Sequence, residues 1–321
     1  MYRHLPALGA AVSAGFKKGI SGYVWMLKIL IPVSFVTLLL DAGGWIGRLD
    51  FLLEPVMSVL GLPPMAALPL LVGLFTGIYG SVAAMMVLPF TPEQMTLMAV
   101  FLLISHNLIV ESTVQGKSGI NPFAAAAFRL AASCLTVFIL ARILEPSGAE
   151  AVRSSAGPAA AAAFPALLQE WAVKTAFMCL KIFVIIICLM IVMEIMKRFH
   201  VIGYILVGVR PLLRLMGLDR RVGMLWLTAG LFGIAYGAAV IVEEAKEIGL
   251  SGEDMTKLHL SIGINHAVIE DPALFLPLGI HAFWLWVPRW VMAVVVVHLL
   301  TLWFRFAPTR HHRPRPETNP S

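Results

Sequence analysis

Residues 73–80 read Gly-Leu-Phe-Thr-Gly-Ile-Tyr-Gly, and residues 230–237 read Gly-Leu-Phe-Gly-Ile-Ala-Tyr-Gly. Each stretch carries three glycines and one tyrosine within a longer apolar run. Self-similarity at one long separation is typical of a chain built from internal repeats. The sequence therefore predicts one structural unit that occurs twice.

Two further pairs of stretches follow in the same order. Residues 91–96 (Thr-Pro-Glu-Gln-Met-Thr) match residues 251–256 (Ser-Gly-Glu-Asp-Met-Thr). Residues 106–111 (His-Asn-Leu-Ile-Val-Glu) match residues 265–270 (Asn-His-Ala-Val-Ile-Glu). Because the order and the approximate spacing persist, the repeat covers most of the chain.

The composition excludes most soluble proteins. Of the 321 residues, 59% are hydrophobic and 13% are charged, whereas a soluble domain carries about 25% charged residues. A polytopic membrane protein is therefore predicted, in contact with the lipid bilayer. The three cysteines lie in apolar runs without paired spacing, which indicates neither disulfides nor a cysteine metal motif. The net charge of +6 comes from basic residues beside apolar segments, where charge sets topology, so no nucleic-acid partner is expected.

The predicted fold class is an all-α polytopic membrane protein with two inverted repeats. Each repeat is expected to contain about three transmembrane helices, a re-entrant hairpin and an interfacial amphipathic helix. The hairpin is the glycine-broken third segment, because each arm is too short for a hydrocarbon core that needs about 20 helical residues. Eight full spans with parallel repeats is the alternative. The predicted segments are 22–40, 45–60, 66–90, 94–112 and 123–144, then 175–197, 201–217, 222–250, 255–270 and 280–304.

Lys and Arg counts in the flanking loops predict the orientation. The basic residues 197–221 are expected in the cytoplasm, whereas their counterpart, residues 43–64, is not basic and is expected outside. Equivalent loops on opposite faces imply inverted repeats, as in secondary transporters. The predicted location is the bacterial inner membrane, with both termini cytoplasmic. The predicted divisions are 1–21 (cytoplasmic segment), 22–144 (first repeat), 145–174 (extracytoplasmic Ala/Pro/Gly linker), 175–304 (second repeat) and 305–321 (disordered basic tail).

Ionisable residues in the fourth segment of each unit form the candidate substrate site. A buried charge costs about 2.5–3.5 kcal/mol in a membrane, so such groups face a cavity or a partner. Asn107 and Glu111 are four apart and share a predicted helix face, and His266 and Glu270 are expected to occupy the same two places. The candidate substrate-binding residues are His106, Asn107, Glu111, Asn265, His266, Glu270, Asp271 and Arg289. The candidate hairpin tips are Gly77, Tyr79, Gly80, Gly233, Tyr236 and Gly237.

Arg129 and Arg289 fall opposite each other in the two repeats, each inside an apolar helix. For Arg129 we expect snorkelling to the headgroups or pairing with a carboxylate. For Arg289, a salt bridge to Glu270 or Asp271 and contact with an anionic substrate group both remain open. If each Glu is merely paired with a nearby Arg, the charges only tie helices together.

Motifs of the common enzyme classes are absent. No HExxH, GxSxG or GxxxxGK[ST] pattern occurs, so no enzymatic activity is expected. No cofactor is expected beyond a coupling proton or cation, for which Glu111 and Glu270 are the best-placed groups. A divalent metal would require His106, His266, Glu111 and Glu270.

The chain contains two copies of a Gly-Leu-Phe…Tyr-Gly motif, and each copy is followed by an Asn/His…Glu segment and an Arg-bearing span. This pattern resembles the nucleoside recognition (Gate) domain family. That family includes concentrative nucleoside transporters, the membrane part of ferrous iron transporter B, and spore maturation proteins A and B. The resemblance extends over about residues 19–304 as two tandem Gate units. It implies paired re-entrant hairpins around a mid-membrane site with contacts from Tyr79, Gly80, Asn107, Glu111, Tyr236, Gly237, His266 and Glu270.

The function expected from this resemblance is transport. A carrier would move a small polar solute, nucleoside-like or other, by alternating access. A divalent metal ion permease and a non-transporting membrane scaffold remain as alternatives. The expected partners are the lipid bilayer, the solute or ion and, through flat apolar faces, further copies of the chain.

Overall fold

The computed structural model describes residues 5–146, 160–218 and 220–306, and all regular structure in these ranges is helical. The predicted all-α class is confirmed. The first half contains α1 (Leu5–Ala42), α2 (Asp50–Val59), α3 (Ala67–Thr76), α4 (Ile78–Val87), α5 (Pro92–Ser105), α6 (Leu108–Lys117) and α7 (Pro122–Leu144). The second half contains α8 (Ala160–Arg198), α9 (Val201–Leu215), α10 (Gly223–Phe232), α11 (Ile234–Ile248), α12 (Gly252–Ile264), α13 (Glu270–Phe275) and α14 (Ala282–Phe306).

The order of elements in α1–α7 recurs in α8–α14. A long helix comes first in each half, a shorter one follows, and a single glycine then separates the next two. The fifth helix of each half begins with a capping box, formed by Thr91 and Gln94 in α5 and by Ser251 and Asp254 in α12. The similarity between residues 91–96 and 251–256 therefore marks the same helix start in both halves.

Each glycine-broken segment folds back on itself. Gly77 and Gly233 have φ of 88° and 84°, a region that favours glycine. A Cβ placed on Gly73 of α3 would lie 2.9 Å from Cβ of Ser81 in α4, although eight residues of straight helix span about 12 Å. In the second half, a Cβ on Gly237 would lie 2.2 Å from that of a residue in α10. Both segments are therefore tight helical hairpins.

Five helical stretches among the described residues are long and apolar enough to cross a membrane: Pro6–Ala42, Pro92–Lys117, Pro122–Leu144, Phe164–Arg198 and Ala282–Phe306. The expectation of three such helices in each half is met in the first half. In the second half, the predicted segment 255–270 is not one helix, because α12 ends at Ile264 and α13 begins only at Glu270. The fourth segment of the first half is also broken, between α5 and α6, but that shorter break leaves Pro92–Lys117 as one stretch long and apolar enough to cross a membrane.

Two predicted boundaries differ from the observed helix ends. Helix α1 already begins at Leu5, within the predicted N-terminal segment, and α8 begins at Ala160, within the predicted linker. The centre of that linker and the predicted tail beyond residue 306 lie outside the described residues.

α1 and α8 pack closely along their lengths, so that a Cβ on Gly15 would lie 2.5 Å from Cα of Ile191.

Large apolar side chains cover the outside of the long helices. Phe123 of α7, Phe177 of α8 and Trp303 of α14 are all more than half exposed. A water-soluble protein rarely leaves so much contiguous apolar surface uncovered. This surface suits contact with lipid chains.

Candidate functional site

The fourth segment of each half is broken. His106 and Asn107 separate α5 from α6, and residues 265–269 separate α12 from α13. Asn107 and Ala267 adopt left-handed conformations with φ of 48° and 43°, which ends a helix of L-residues. The prediction that His266 and Glu270 lie on one helix face is therefore wrong, because His266 is in the break.

Each break contacts the hairpin of its own half. The N–H of Asn107 donates to the carbonyl of Gly73 over 2.9 Å, and the N–H of Val268 donates to the carbonyl of Gly230 over 2.7 Å. A Cβ on Gly77 would lie 4.0 Å from Cβ of Asn107, and the equivalent distance in the second half is also 4.0 Å. The hairpin tip and the polar break thus form one unit in each half.

A buried arginine supports each break. Nε of Arg129 donates to the carbonyl of Ile104 over 2.8 Å, and its Nη2 donates to that of His106 over 3.0 Å. In the second half, Nε of Arg289 donates to the carbonyl of Ile264 over 3.1 Å, and its Nη2 donates to that of His266 over 2.8 Å. These acceptors precede Arg289 by 25 and 23 residues, as their counterparts precede Arg129. Both arginines have 0% exposure, so the snorkelling interpretation of Arg129 is wrong.

These bonds correct the alignment of the two repeats. The arginines place His106 and His266 in equivalent positions, and the same register pairs Glu111 with Asp271. The sequence match with residues 265–270 was therefore one residue too early in the second half. The same offset of 160 residues relates Thr91 to Ser251 and Arg129 to Arg289, so no insertion falls in the break, and Asp271 rather than Glu270 corresponds to Glu111.

Four side chains from the two halves meet in what we call the central cluster: His106, Glu111, His266 and Asp271. Nε2 of His106 lies 3.4 Å from Oε1 of Glu111 and 3.5 Å from Oδ2 of Asp271. Nε2 of His266 lies 3.3 Å from Oε2 of Glu111 and 3.9 Å from Oδ2 of Asp271. Both imidazoles are more than nine-tenths buried. The cluster therefore alternates imidazole and carboxylate groups around one small space.

Arg129 also balances charge in the central cluster. Its Nη2 lies 2.7 Å from Oε2 of Glu111. That oxygen lacks a well-directed hydrogen bond, so the contact is an ion pair rather than an aligned N–H···O bond. The predicted Glu–Arg pairing is thus present for Glu111. With neutral histidines, the two carboxylates of the cluster balance the charges of Arg129 and Arg289.

The remaining predicted site residues lie at different distances from the central cluster. Glu270 faces the hydroxyl of Tyr79, whose ring packs edge-on against Trp25. Asn265 is fully buried at the start of the break, and neither polar atom of its side-chain amide has a hydrogen-bond partner in the described part of the chain. The side chain of Tyr236 lies outside the described residues. The predicted metal set is therefore corrected, because Asp271 rather than Glu270 joins the two histidines.

Sequence reasoning missed a contact between the halves next to the cluster. Nε2 of Gln115 donates to the carbonyl of His259 over 2.8 Å, and Nε2 of His259 donates to the carbonyl of Ser118 over 3.1 Å. All three residues are buried. The repeat gives no signal for them, because Gln115 lies in α6, whereas its structural counterpart α13 has a different sequence.

Several buried polar atoms of the site have no hydrogen-bond partner in the described part of the chain. These atoms are Oε2 of Glu111, Oγ of Ser112, Oε1 of Gln115, Nη1 of Arg129, both amide atoms of Asn265, Nε2 of His266, Oδ2 of Asp271 and Nη1 of Arg289. Buried polar groups are normally paired, and an exception calls for an ion, a water molecule or a ligand. Five of these nine atoms belong to the central cluster and the two arginines.

Comparison with known proteins agrees with the membrane character. The chain is similar to a protein of Bacillus subtilis (strain 168) described as "Uncharacterized membrane protein YvoD". The two are 29% identical over 297 residues, and the aligned region covers 91% of this chain and 92% of that protein. This chain is a membrane protein. No protein-family profile and no solved structure matches it. The similarity spans both halves, so the relative is similar to this chain over the whole duplicated architecture.

Proposed function

We propose that the chain is a membrane carrier of the Gate type that binds a small polar solute or ion at the central cluster. The observation that carries this proposal is the convergence of buried polar atoms from both halves that have no hydrogen-bond partner in the described part of the chain. Glu111 and Asp271 come from different halves and sit with two histidines between them. Ionisable groups inside a membrane are costly to bury, and they usually mark a path for substrate or ions.

The broken helices support transport. Unpaired backbone is tolerated at membrane depth only where it is buried in protein or lines a cavity. Here four backbone breaks contact one another in pairs, at Gly77 with Asn107 and at Gly233 with Ala267. Discontinuous helices of this kind form the substrate sites of secondary transporters with internal repeats.

Alternating access would follow from the duplicated fold. Under the positive-inside rule, we propose inverted repeats in a bacterial inner membrane with both termini cytoplasmic. Residues of both halves face the same site, so a movement of one half against the other would open it to each side in turn. Glu111 and Asp271 are the groups that we propose to bind a coupling proton or cation.

A non-transporting scaffold is the second candidate, because the Arg129–Glu111 ion pair is the kind of internal neutralisation that it requires. The second half does not repeat that arrangement in full. Nη2 of Arg129 lies 2.7 Å from Glu111, but among the described residues no ion pair of this kind joins Arg289 to Asp271, and Nη1 of Arg289 and Oδ2 of Asp271 have no hydrogen-bond partner. A purely structural cluster would gain from pairing these atoms.

Solute-induced currents in proteoliposomes separate the two candidates. The purified chain is reconstituted and tested with nucleosides, nucleobases, carboxylates and divalent cations. A carrier gives a current with at least one class, and that current is lost in Glu111→Gln. The control is Glu170→Gln on α8, an exposed carboxylate paired with Lys174, which keeps the current. If no class gives either a current or uptake of the labelled solute, or if Glu111→Gln transports like the wild type, the carrier proposal fails.

A further inference from the structure

We propose that the central cluster binds a divalent first-row transition metal ion through His106, His266, Glu111 and Asp271. This inference deepens the proposed function and rests on it for the role of the ion as the transported or coupling species. The site itself stands on the geometry of the four side chains. Two come from each half of the chain, so the ion would join the halves.

The spacing of the donor atoms suits such an ion. Nε2 of His106, Nε2 of His266 and a carboxylate oxygen of Asp271 all lie within 4.8 Å of one another. The four imidazole–carboxylate distances in the cluster are 3.3, 3.4, 3.5 and 3.9 Å. Metal–ligand bonds of about 2.0–2.2 Å in tetrahedral geometry place neighbouring donors about 3.4 Å apart. These three donors are therefore close enough to share one ion, and Glu111 would join them as the fourth ligand through a movement of its carboxylate.

The histidine tautomers also point to a cation. Nδ1 of His106 lies 2.8 Å from the carbonyl of Leu102, and Nδ1 of His266 lies 3.2 Å from the carbonyl of Ile262. A carbonyl only accepts hydrogen bonds, so Nδ1 carries the proton in both rings. In neutral rings, the lone pair of each Nε2 then faces the carboxylate oxygens. Two facing lone pairs repel each other unless a positive species, either a metal ion or a proton on Nε2, lies between them.

Surrounding groups resemble the outer shell of known metal sites. Metal-binding histidines usually donate their other N–H to a carbonyl or carboxylate, which fixes the ring. Both histidines do so here, and their own carbonyls accept bonds from Arg129 and Arg289. Arg129 also holds Oε2 of Glu111, which leaves Oε1 facing His106. The donors are thus held in place before any ion enters.

The donor set selects the class of ion. Imidazole nitrogen favours zinc, iron, nickel and copper, whereas magnesium and calcium prefer sites of oxygen alone. Two nitrogens with two carboxylates suit Zn²⁺, Fe²⁺ or Co²⁺. No cysteine belongs to the cluster, so a soft ion such as Cu⁺ is not favoured.

Direct binding to the detergent-purified, full-length chain tests the site without any need for transport. His311 and His312 are first replaced by Ala, which removes two other histidines of the sequence as ligands. We expect one Zn²⁺ per chain, with no competition from excess Mg²⁺. His106→Ala and His266→Ala should each weaken binding by at least about 100-fold, since even outer-shell changes cost 10–100-fold. Bound Co²⁺ should give visible absorption bands of a four-coordinate ion.

Two matched controls keep the test specific. Asp271→Asn preserves the shape of the side chain and should weaken binding, whereas Glu170→Gln, an exposed carboxylate of α8 paired with Lys174, should leave it unchanged. His298→Ala, an exposed histidine of α14, should also leave it unchanged. Equal Zn²⁺ binding by the wild type and the His106→Ala/His266→Ala double variant would overturn the inference.

The binding and transport measurements fail independently. If the chain binds Zn²⁺ as expected but gives neither a current nor uptake with any solute, the metal site stands and the carrier proposal fails. If it carries a current with a metal-free solute and binds no Zn²⁺, the carrier stands and the metal inference is wrong.

Discussion

The imidazole rings of His106 and His266 lie with their centroids 5.0 Å apart and their planes inclined by 33°. The two residues occupy equivalent breaks in the two halves of the chain, and each is held by an arginine from the last helix of its own half. Because the duplicated units meet at this pair, changes on either side of it should affect both halves together.

Replacement of Arg129 should lower the free energy of unfolding far more than replacement of a surface cation. Arg129→Leu leaves the Glu111 carboxylate buried without its ion-pair partner, and we expect a loss of about 3–5 kcal/mol in the free energy of unfolding. Equilibrium unfolding of the purified variant in detergent measures this loss. Lys18→Met breaks an ion pair whose lysine is more than half exposed and should cost under about 1 kcal/mol.

A double-mutant cycle separates the ion pair from the lost packing. Arg129→Leu/Glu111→Leu should be more stable than Arg129→Leu alone, because no charge is left unpaired. Simple addition of the two single losses would show that the 2.7 Å contact does not contribute.

Arg289 should not tolerate lysine. Its planar guanidinium bonds two carbonyls at once, through Nε and Nη2, and a lysine ammonium cannot reproduce that fork. We expect Arg289→Lys to lower the free energy of unfolding by about 1–3 kcal/mol, because a buried carbonyl is left without a hydrogen-bond donor. Arg305→Lys, at the exposed end of the same helix, is the control, and a similar loss there would argue against the fork. Thermal unfolding of the two purified variants measures the difference.

The second hairpin should not accept a methyl group at its contact point. In Gly237→Ala, the new Cβ would meet Ala229 at 2.2 Å, and the helices must separate. We expect a loss of about 1–3 kcal/mol, as for other overpacked sites. Gly22→Ala meets nothing within 4 Å and should be neutral or slightly stabilising. Equal thermal stability of the two variants would mean that α10 and α11 are not packed in this way.

Gln115 and His259 should act as one connection between the halves. Gln115→Leu and His259→Leu should each cost about 1–3 kcal/mol, because each leaves a buried carbonyl unsatisfied. Their combination should cost less than the sum, with a coupling of about 0.5–3 kcal/mol, since they belong to one network. Thr113→Val, on the exposed face of α6, should change stability by under about 0.5 kcal/mol. Fully additive losses in the unfolding measurement would place the two residues in separate networks.

The sequence alone was enough for the class of protein and its internal duplication. Apolar composition and sparse charge follow directly from contact with lipid, and helix breaks require glycines that remain visible as Gly77 and Gly233. Capping boxes are local as well, so the matching residues 91–96 and 251–256 begin the same helix in both halves. These features depend on neighbours in the chain and are readable from it.

The tertiary structure decided the composition of the site. The constant offset of 160 residues already pairs Glu111 with Asp271, but whether Asp271 or Glu270 points at the histidines depends on side-chain directions in a non-helical break, which has no fixed period. Whether Arg129 snorkels or turns inward depends on a carboxylate and two carbonyls that lie elsewhere in the chain. The partners of the central cluster come from opposite halves, so only the packing of one half against the other brings them together.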